Sequence, residues 1–118
     1  KCAKGKKMSV HKQFRNVFAN WDKEVFRDIH HEDFLFIRET ELLTLDDHVE
    51  NIDRLVTTTD FAKSQNSNAV LIHENEYVSE IRWRDGAEIV TAVVLLKNGK
   101  ALRQIANRVS ADESLTPL

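Results

Sequence analysis

The stretch that decides the fold is AVLIHENEYVSEIRWRDGAEIVTAVVLLKNGKALRQIANRV, residues 69–109. Three turn signals divide it: Glu74-Asn75-Glu76, Asp85-Gly86 and Asn98-Gly99. Asp-Gly and Asn-Gly favour two-residue hairpins, because the central residues of such turns need positive φ. The segments between the turns are rich in β-branched and aromatic residues, too short for helices and closely spaced. Ala69 to His73 reads as a strand. Tyr77 to Arg84 alternates, with Tyr77, Ile81 and Trp83 on one face and Glu80 and Arg82 on the other. Ile89 to Leu96 consists almost entirely of β-formers, and Lys100 to Val109 closes the series. The reading is a meander of about four hairpin-linked strands.

The residues before this stretch follow a different period. Val10, Phe14, Val17, Phe18 and Trp21 fall on one helical face. Ser9 is placed to cap that helix, and Asn20-Trp21-Asp22 reads as a break. Asp22 then caps a short second helix carrying Val25, Phe26 and Ile29. Phe34 to Arg38 reads as a strand covered on both faces. Thr44-Leu45-Asp46-Asp47 resembles a capping box and starts a third helix with Leu45, Val49, Ile52 and Val56 on its inner face. That helix ends near Thr57-Thr58-Thr59, where β-branching disfavours it. Residues 60–68 are ambiguous: Phe61 could open a strand, but Ser64 to Asn68 has loop chemistry. Helices first and hairpins afterwards predict an α+β domain with an antiparallel sheet.

The chain's 118 residues make one domain. A chain of this size buries roughly two-thirds of its surface on folding, enough for one core. A net charge of −2 argues against general nucleic-acid binding. No apolar run approaches the roughly 20 residues of a membrane span. One cysteine, Cys2, allows no internal disulfide, and no signal-peptide pattern follows the basic start. A cytoplasmic protein is expected. Residues 1–7 carry four lysines and no acid. They read as a disordered or added leader, residues 8–111 as the domain, and 112–118 as a loose tail.

This order of elements and turns resembles the SnoaL-like branch of the nuclear-transport-factor-2-like superfamily. The likeness rests on the first helix ending in Trp21, the short second helix and the strand Phe34 to Ile37. It also rests on the helix from Thr44, the meander, and the run from Glu74 through Trp83 as a turn and long bent strand. The resemblance implies a cone, with helices packed on a strongly curved antiparallel sheet in a cystatin-like roll, and a pocket between the concave sheet face and the helices. Family members include isomerases, cyclases, dehydratases and epoxide hydrolases, together with non-catalytic binding and assembly modules. Many form homodimers through the sheet.

Within that frame a small apolar or amphipathic ligand is expected, with any catalysis being cofactor-free proton transfer. His31 and Asp33 precede a pocket-lining strand in this fold and are the candidate acid–base pair. Trp21, Phe26, Phe36 and Trp83 are candidates for an aromatic pocket wall, with indole N–H groups as donors. Arg38 and Glu39 could clamp a carboxylate or form a surface pair. On the last strand, Arg103, Ile105, Asn107 and Val109 share one face and Leu102, Gln104, Ala106 and Arg108 the other. If the first set faces the cone, Arg103 and Asn107 become ligand contacts; if it faces outward, they meet a partner.

No metal motif is present: His30 and His31 are adjacent, and no second cysteine or His-x-x-x-His pair exists. The single tyrosine, Tyr77, lies beside a turn, which disfavours the family chemistries that need pocket tyrosines. An Asp–Arg–Asp set of the epoxide-hydrolase kind is not alignable. Ile89 to Leu96 is apolar on both faces. One face should meet the helices, and the other requires a partner, which predicts a two-fold dimer. An open cavity of roughly several hundred Å³ with inward polar groups would favour ligand binding over a filled, non-catalytic dimerisation or protein-binding module.

Overall fold

The computed structural model describes residues 8–111. The readings made for residues 1–7, Cys2 among them, and for 112–118 lie outside the described residues. The elements follow the order α1 (Val10–Ala19), α2 (Lys23–Asp28), β1 (His30–Arg38), β2 (Glu41–Thr44), α3 (Leu45–Thr58), α4 (Phe61–Asn68), β3 (Val70–Glu74), β4 (Val78–Asp85), β5 (Glu88–Lys97) and β6 (Lys100–Ser110).

The local signals at the first two helices hold. The Ser9 side chain accepts from Lys12 N, and the Asp22 carboxylate accepts from Glu24 N and Val25 N. These bonds satisfy backbone donors that a helix start leaves without partners. Thr44 makes no such side-chain bond at α3. It is the last residue of β2 and pairs with Leu35, so its backbone is already placed by the sheet. Asp46, in the first turn of α3, ion-pairs with Arg27 at 2.6 Å and ties α2 to α3.

Three elements depart from the sequence reading. β1 begins at His30, four residues before Phe34, so His31 and Asp33 lie within the strand and not ahead of it. Glu41–Thr44 is a further hairpin strand, β2, reached through Glu39 at φ 55°. Residues 61–68 are a helix. Tertiary contacts override their weak propensity. Phe61 packs edge-on against Phe18 at 5.8 Å, Gln65 is buried, and Asn66 and Arg15 exchange side-chain bonds to each other's backbone carbonyls.

The strands form one sheet in the order β2-β1-β6-β5-β4-β3. All neighbours are antiparallel except β1 and β6, which run parallel. Register shifts interrupt the ladders between His30 and Leu35, between Leu71 and His73, and between Leu95 and Leu96. Bulges of this kind bend the bulged strand and increase its twist. The sheet is curved and unclosed, and the helices cover its concave face.

The alternation decides what the concave face carries. Ser79, Ile81 and Trp83 of β4 stand opposite Val94, Ala92 and Val90 of β5. Gln104 and Ala106 of β6 stand opposite Val94 and Ala92. The core lies between this face and the helices, where Phe26, Phe34 and Val49 are at most 2% exposed. The other face of β5, with Ile89, Val93 and Leu95, points away from the helices, as the two-faced apolar pattern requires. Leu95, Ile105, Val109 and Leu42 are 41–61% exposed.

Candidate functional site

A cavity lies between α1, α3, α4 and the concave faces of β4, β5 and β6. Its walls are aromatic and aliphatic: Phe14, Phe18 and Phe26 from the first two helices, Phe61 from α4, Ile81 and Trp83 from β4. Four polar side chains interrupt them: His48 from α3, Gln65 from α4, Ser79 from β4 and Gln104 from β6. His48, Gln65 and Ser79 are buried at 4%, 8% and 3% exposure. None of the four makes a side-chain hydrogen bond to another described residue, so each presents its donors and acceptors to the cavity. His11, Arg15 and Asn66 complete the lining on the more exposed side. The volume is about 80 Å³. An apolar cavity of about 150 Å³ admits benzene, and drug-sized sites run to about 300–1,000 Å³. The inward polar groups expected for a ligand site are therefore present, in a cavity smaller than expected.

His48 of the cavity wall forms a pair of buried imidazoles with His30, which does not line the cavity. His30, at 3% exposure, begins β1, and its Nδ1 lies 2.8 Å from Phe26 O. A carbonyl oxygen only accepts, so Nδ1 carries the proton and Nε2 carries a lone pair. That Nε2 is buried with no partner among the described residues. His48 stacks on Phe36 (4.8 Å between centroids) and lies 5.6 Å from the His30 ring. Phe14, Phe26 and Phe34 enclose His30. Burial pushes His30 down to about 4, opposed by the Phe26 carbonyl and assisted by Arg27. Burial, with the neighbouring His30, pushes His48 down to about 3. Both rings are therefore neutral at pH 7. His48 can donate or accept a hydrogen bond in the cavity but is a poor proton acceptor. His11 is also lowered, by burial, with Glu74 opposing and Arg15 assisting.

The residues singled out from sequence fall in three places. Phe26 and Trp83 line the cavity. Trp21 and Phe36 belong to the packing around it. Trp21 stacks on Phe18, and its Nε1–H donates to Asp53 Oδ1 at 2.9 Å, so it braces α3 instead of offering a donor to a ligand. The third place is outside the cone. Asn107 and Arg103 are on the outer sheet face, because their neighbours Gln104 and Ala106 take the inner one. Arg103 donates to Asp33 O at 2.9 Å, which brings Arg103, Asp33 and His31 together at the β1 bulge. There His31 Nδ1 accepts from Asp33 N at 3.0 Å. A nitrogen that accepts this bond does not donate to the Asp33 carboxylate, 3.9 Å away. The base-and-orienter arrangement requires that donation. Arg38 pairs with Glu41 across the β1–β2 hairpin, not with Glu39. Among the described residues no three His, Cys, Asp or Glu side chains cluster as a metal site would require. No described helix is long and apolar enough to cross a membrane.

The chain matches no protein-family model and no curated protein sequence. Solved structures do match. A nuclear-transport-factor-2-like protein of unknown function from Burkholderia xenovorans superposes with a TM-score of 0.58 at 11% identity, over 92% of this chain and 84% of that one. One of the same description from Cytophaga hutchinsonii gives 0.56 at 8% identity, over 89% and 95%. The chain has the nuclear-transport-factor-2-like fold. A de novo designed protein with a curved β-sheet shares the geometry too, at 0.58 and 12% identity over 88% and 84%. At such identities the likeness concerns the fold alone.

Sequence reasoning missed His48, Gln65, Ser79 and Gln104. Helical phase could have shown His48: it lies three residues after Leu45 and four before Ile52, on the inner stripe of α3. Alternation could have shown Ser79, two residues before Ile81. Gln104 could not be assigned before the face of β6 was known.

Proposed function

We propose that this chain is a small-molecule-binding domain of the SnoaL-like kind that works as a homodimer. The observation that carries the reading is the set His48, Gln65, Ser79 and Gln104, polar side chains facing an aromatic-walled cavity without partners among the described residues. Buried polar groups are normally paired, and groups left to face a cavity are the usual means of orienting a ligand. At about 80 Å³, below the roughly 150 Å³ that admits benzene, the cavity excludes a polycyclic ligand and limits any ligand to one ring at most.

Binding is better supported than proton transfer. No carboxylate lines the cavity, and His48 is held neutral well below the working pH. Acid–base chemistry by His31 and Asp33 would have to take place at the β1 bulge outside the cone. The test is a thermal-shift and NMR titration with single-ring compounds. Gln104→Leu and Ser79→Ala should each weaken binding several-fold, while His31→Ala should leave it unchanged. Binding that survives both cavity substitutions but is lost in His31→Ala would move the site to the bulge.

The exposed apolar outer face favours the dimer, and by itself would also suit a non-catalytic dimerisation or protein-binding module. Sedimentation at micromolar concentration should give a dimer, and Ile105→Glu a monomer. A wild-type monomer would remove this part of the proposal.

A further inference from the structure

We propose that the ligand of this cavity is a small aromatic monoanion whose acidic group sits between Arg15 and His11. The inference rests on the binding reading above and adds the ligand's charge and shape.

The charge follows from what the cavity contains. Its lining includes no Asp or Glu, one permanent cation, Arg15, and two imidazoles. Arg15 and His11 are one turn apart on α1 and so share the face turned to the cavity. The guanidinium is positioned, not loose. Its Nη1 donates to Asn66 O at 3.0 Å, and Asn66 Nδ2 donates back to Arg15 O at 2.9 Å. No carboxylate ion-pairs with Arg15 among the described residues, and most of its five N–H donors stay available. The acid beside His11 is Glu74. Its Oε2 accepts from the His11 backbone N at 3.0 Å, and its side chain lines the neighbouring groove with Met8, Ser9 and Val10, not the cavity, so Arg15 carries the attraction for the anion and His11 contributes a neutral hydrogen-bonding ring. A cationic ligand would meet Arg15 with no counter-charge, and burying it would be costly. An anion would receive charge-assisted hydrogen bonds from the planar guanidinium, for which a carboxylate is the matching shape.

The shape follows from the walls. Phe14, Phe18, Phe61 and Trp83 offer ring faces and edges. The volume, about 80 Å³, is below the roughly 150 Å³ that admits benzene, so seating one ring requires the partly exposed Phe18 and Phe61 to move outward. The acidic group then remains on the wet side beside Arg15, and a ring substituent can reach Ser79, Gln104 or His48. Those three offer hydroxyl, amide and imidazole groups, which suit a neutral hydroxyl or amine substituent.

The test titrates benzoate, benzyl alcohol and benzylamine into the full chain, following the Trp83 indole N–H signal, in wild type, Arg15→Gln and Arg15→Lys. Benzoate should bind about tenfold or more tightly than benzyl alcohol. Benzylamine should bind weakest, Arg15→Gln should erase the benzoate preference, and Arg15→Lys should keep part of it. Circular dichroism of each variant separates loss of binding from loss of fold. Equal binding of benzoate and benzyl alcohol, or preference for benzylamine, would overturn the anion assignment and leave the binding domain standing. Failure of all three to perturb Trp83 in a folded wild-type chain would overturn the binding reading as well.

Discussion

Lowering the pH from 7.5 to 5 should destabilise this protein by about 4 kcal/mol, through two histidines that the folded state keeps neutral. In the unfolded chain His30 and His48 titrate near 6.5. In the folded chain burial holds them near 4 and near 3. Both folded values are depressed, so between about 6.5 and 4 the unfolded state binds protons that the native state refuses, and stability falls with pH. At pH 5 each ring is still neutral in the native state, while the unfolded state has gained roughly 2 kcal/mol per ring by protonation. That figure depends almost wholly on the unfolded value, so coupling between two rings 5.6 Å apart hardly enters it. Domains of this size are stable by about 5–15 kcal/mol, so the loss is a large fraction. Urea denaturation at intervals from pH 7.5 to 4.5 measures it. His48→Phe, which keeps an aromatic ring on Phe36, should cost about 1.5 kcal/mol or less at pH 7.5 and remove about half of the pH dependence. A wild-type loss below about 1 kcal/mol, or an unchanged slope in His48→Phe, would refute the buried neutral pair.

Phe26→Ala should cost about 3–5 kcal/mol in the same assay, since the ring is 2% exposed and central to the aromatic cluster; a cost under about 1 kcal/mol would mean the core collapses around it. Asp22→Ala should cost about 1 kcal/mol by removing the acceptor for Glu24 N and Val25 N, while Asp22→Asn recovers most of it. Gly86 sits at φ +61°, and a methyl group added there would meet no atom within 4 Å, so Gly86→Ala should cost only backbone strain, about 1 kcal/mol, and Gly86→Asn less.

The elements legible in sequence were those with local causes. Ser9 and Asp22 as caps, the 3.6-residue period of α1 and α3, and the Asp-Gly and Asn-Gly hairpins all act within a few residues of themselves. Asn98 and Gly99 both take positive φ, as an Asn-Gly hairpin requires, whereas at Asp85-Gly86 the loop is Gly86-Ala87, between the paired Asp85 and Glu88, and only Gly86 takes positive φ. The two faces of Ile89 to Leu96 were also separable, because strand alternation is a property of the backbone. α4 was not legible, because what holds Ser64 to Asn68 in a helix is contact with Phe18 and Arg15 on α1. β2 was not legible either, since four residues carry too little pattern.

The same division holds at the site. The sequence by itself determined that an α+β domain would place aromatic residues such as Phe26 and Trp83 where helices meet sheet. Only the tertiary structure decided which polar residues join them. On β6 the alternation sorted Arg103 and Asn107 from Gln104 and Ala106, but the inward set was chosen by pairing with Val94 and Ala92 on β5. The bulge at Leu102 completes that choice by letting Ala101 and Ala106 both be buried at odd spacing. His30 and His48, eighteen positions apart in sequence, became a neutral buried pair only when α3 folded over β1, because the loss of solvent that lowers their pKa values exists in no local segment.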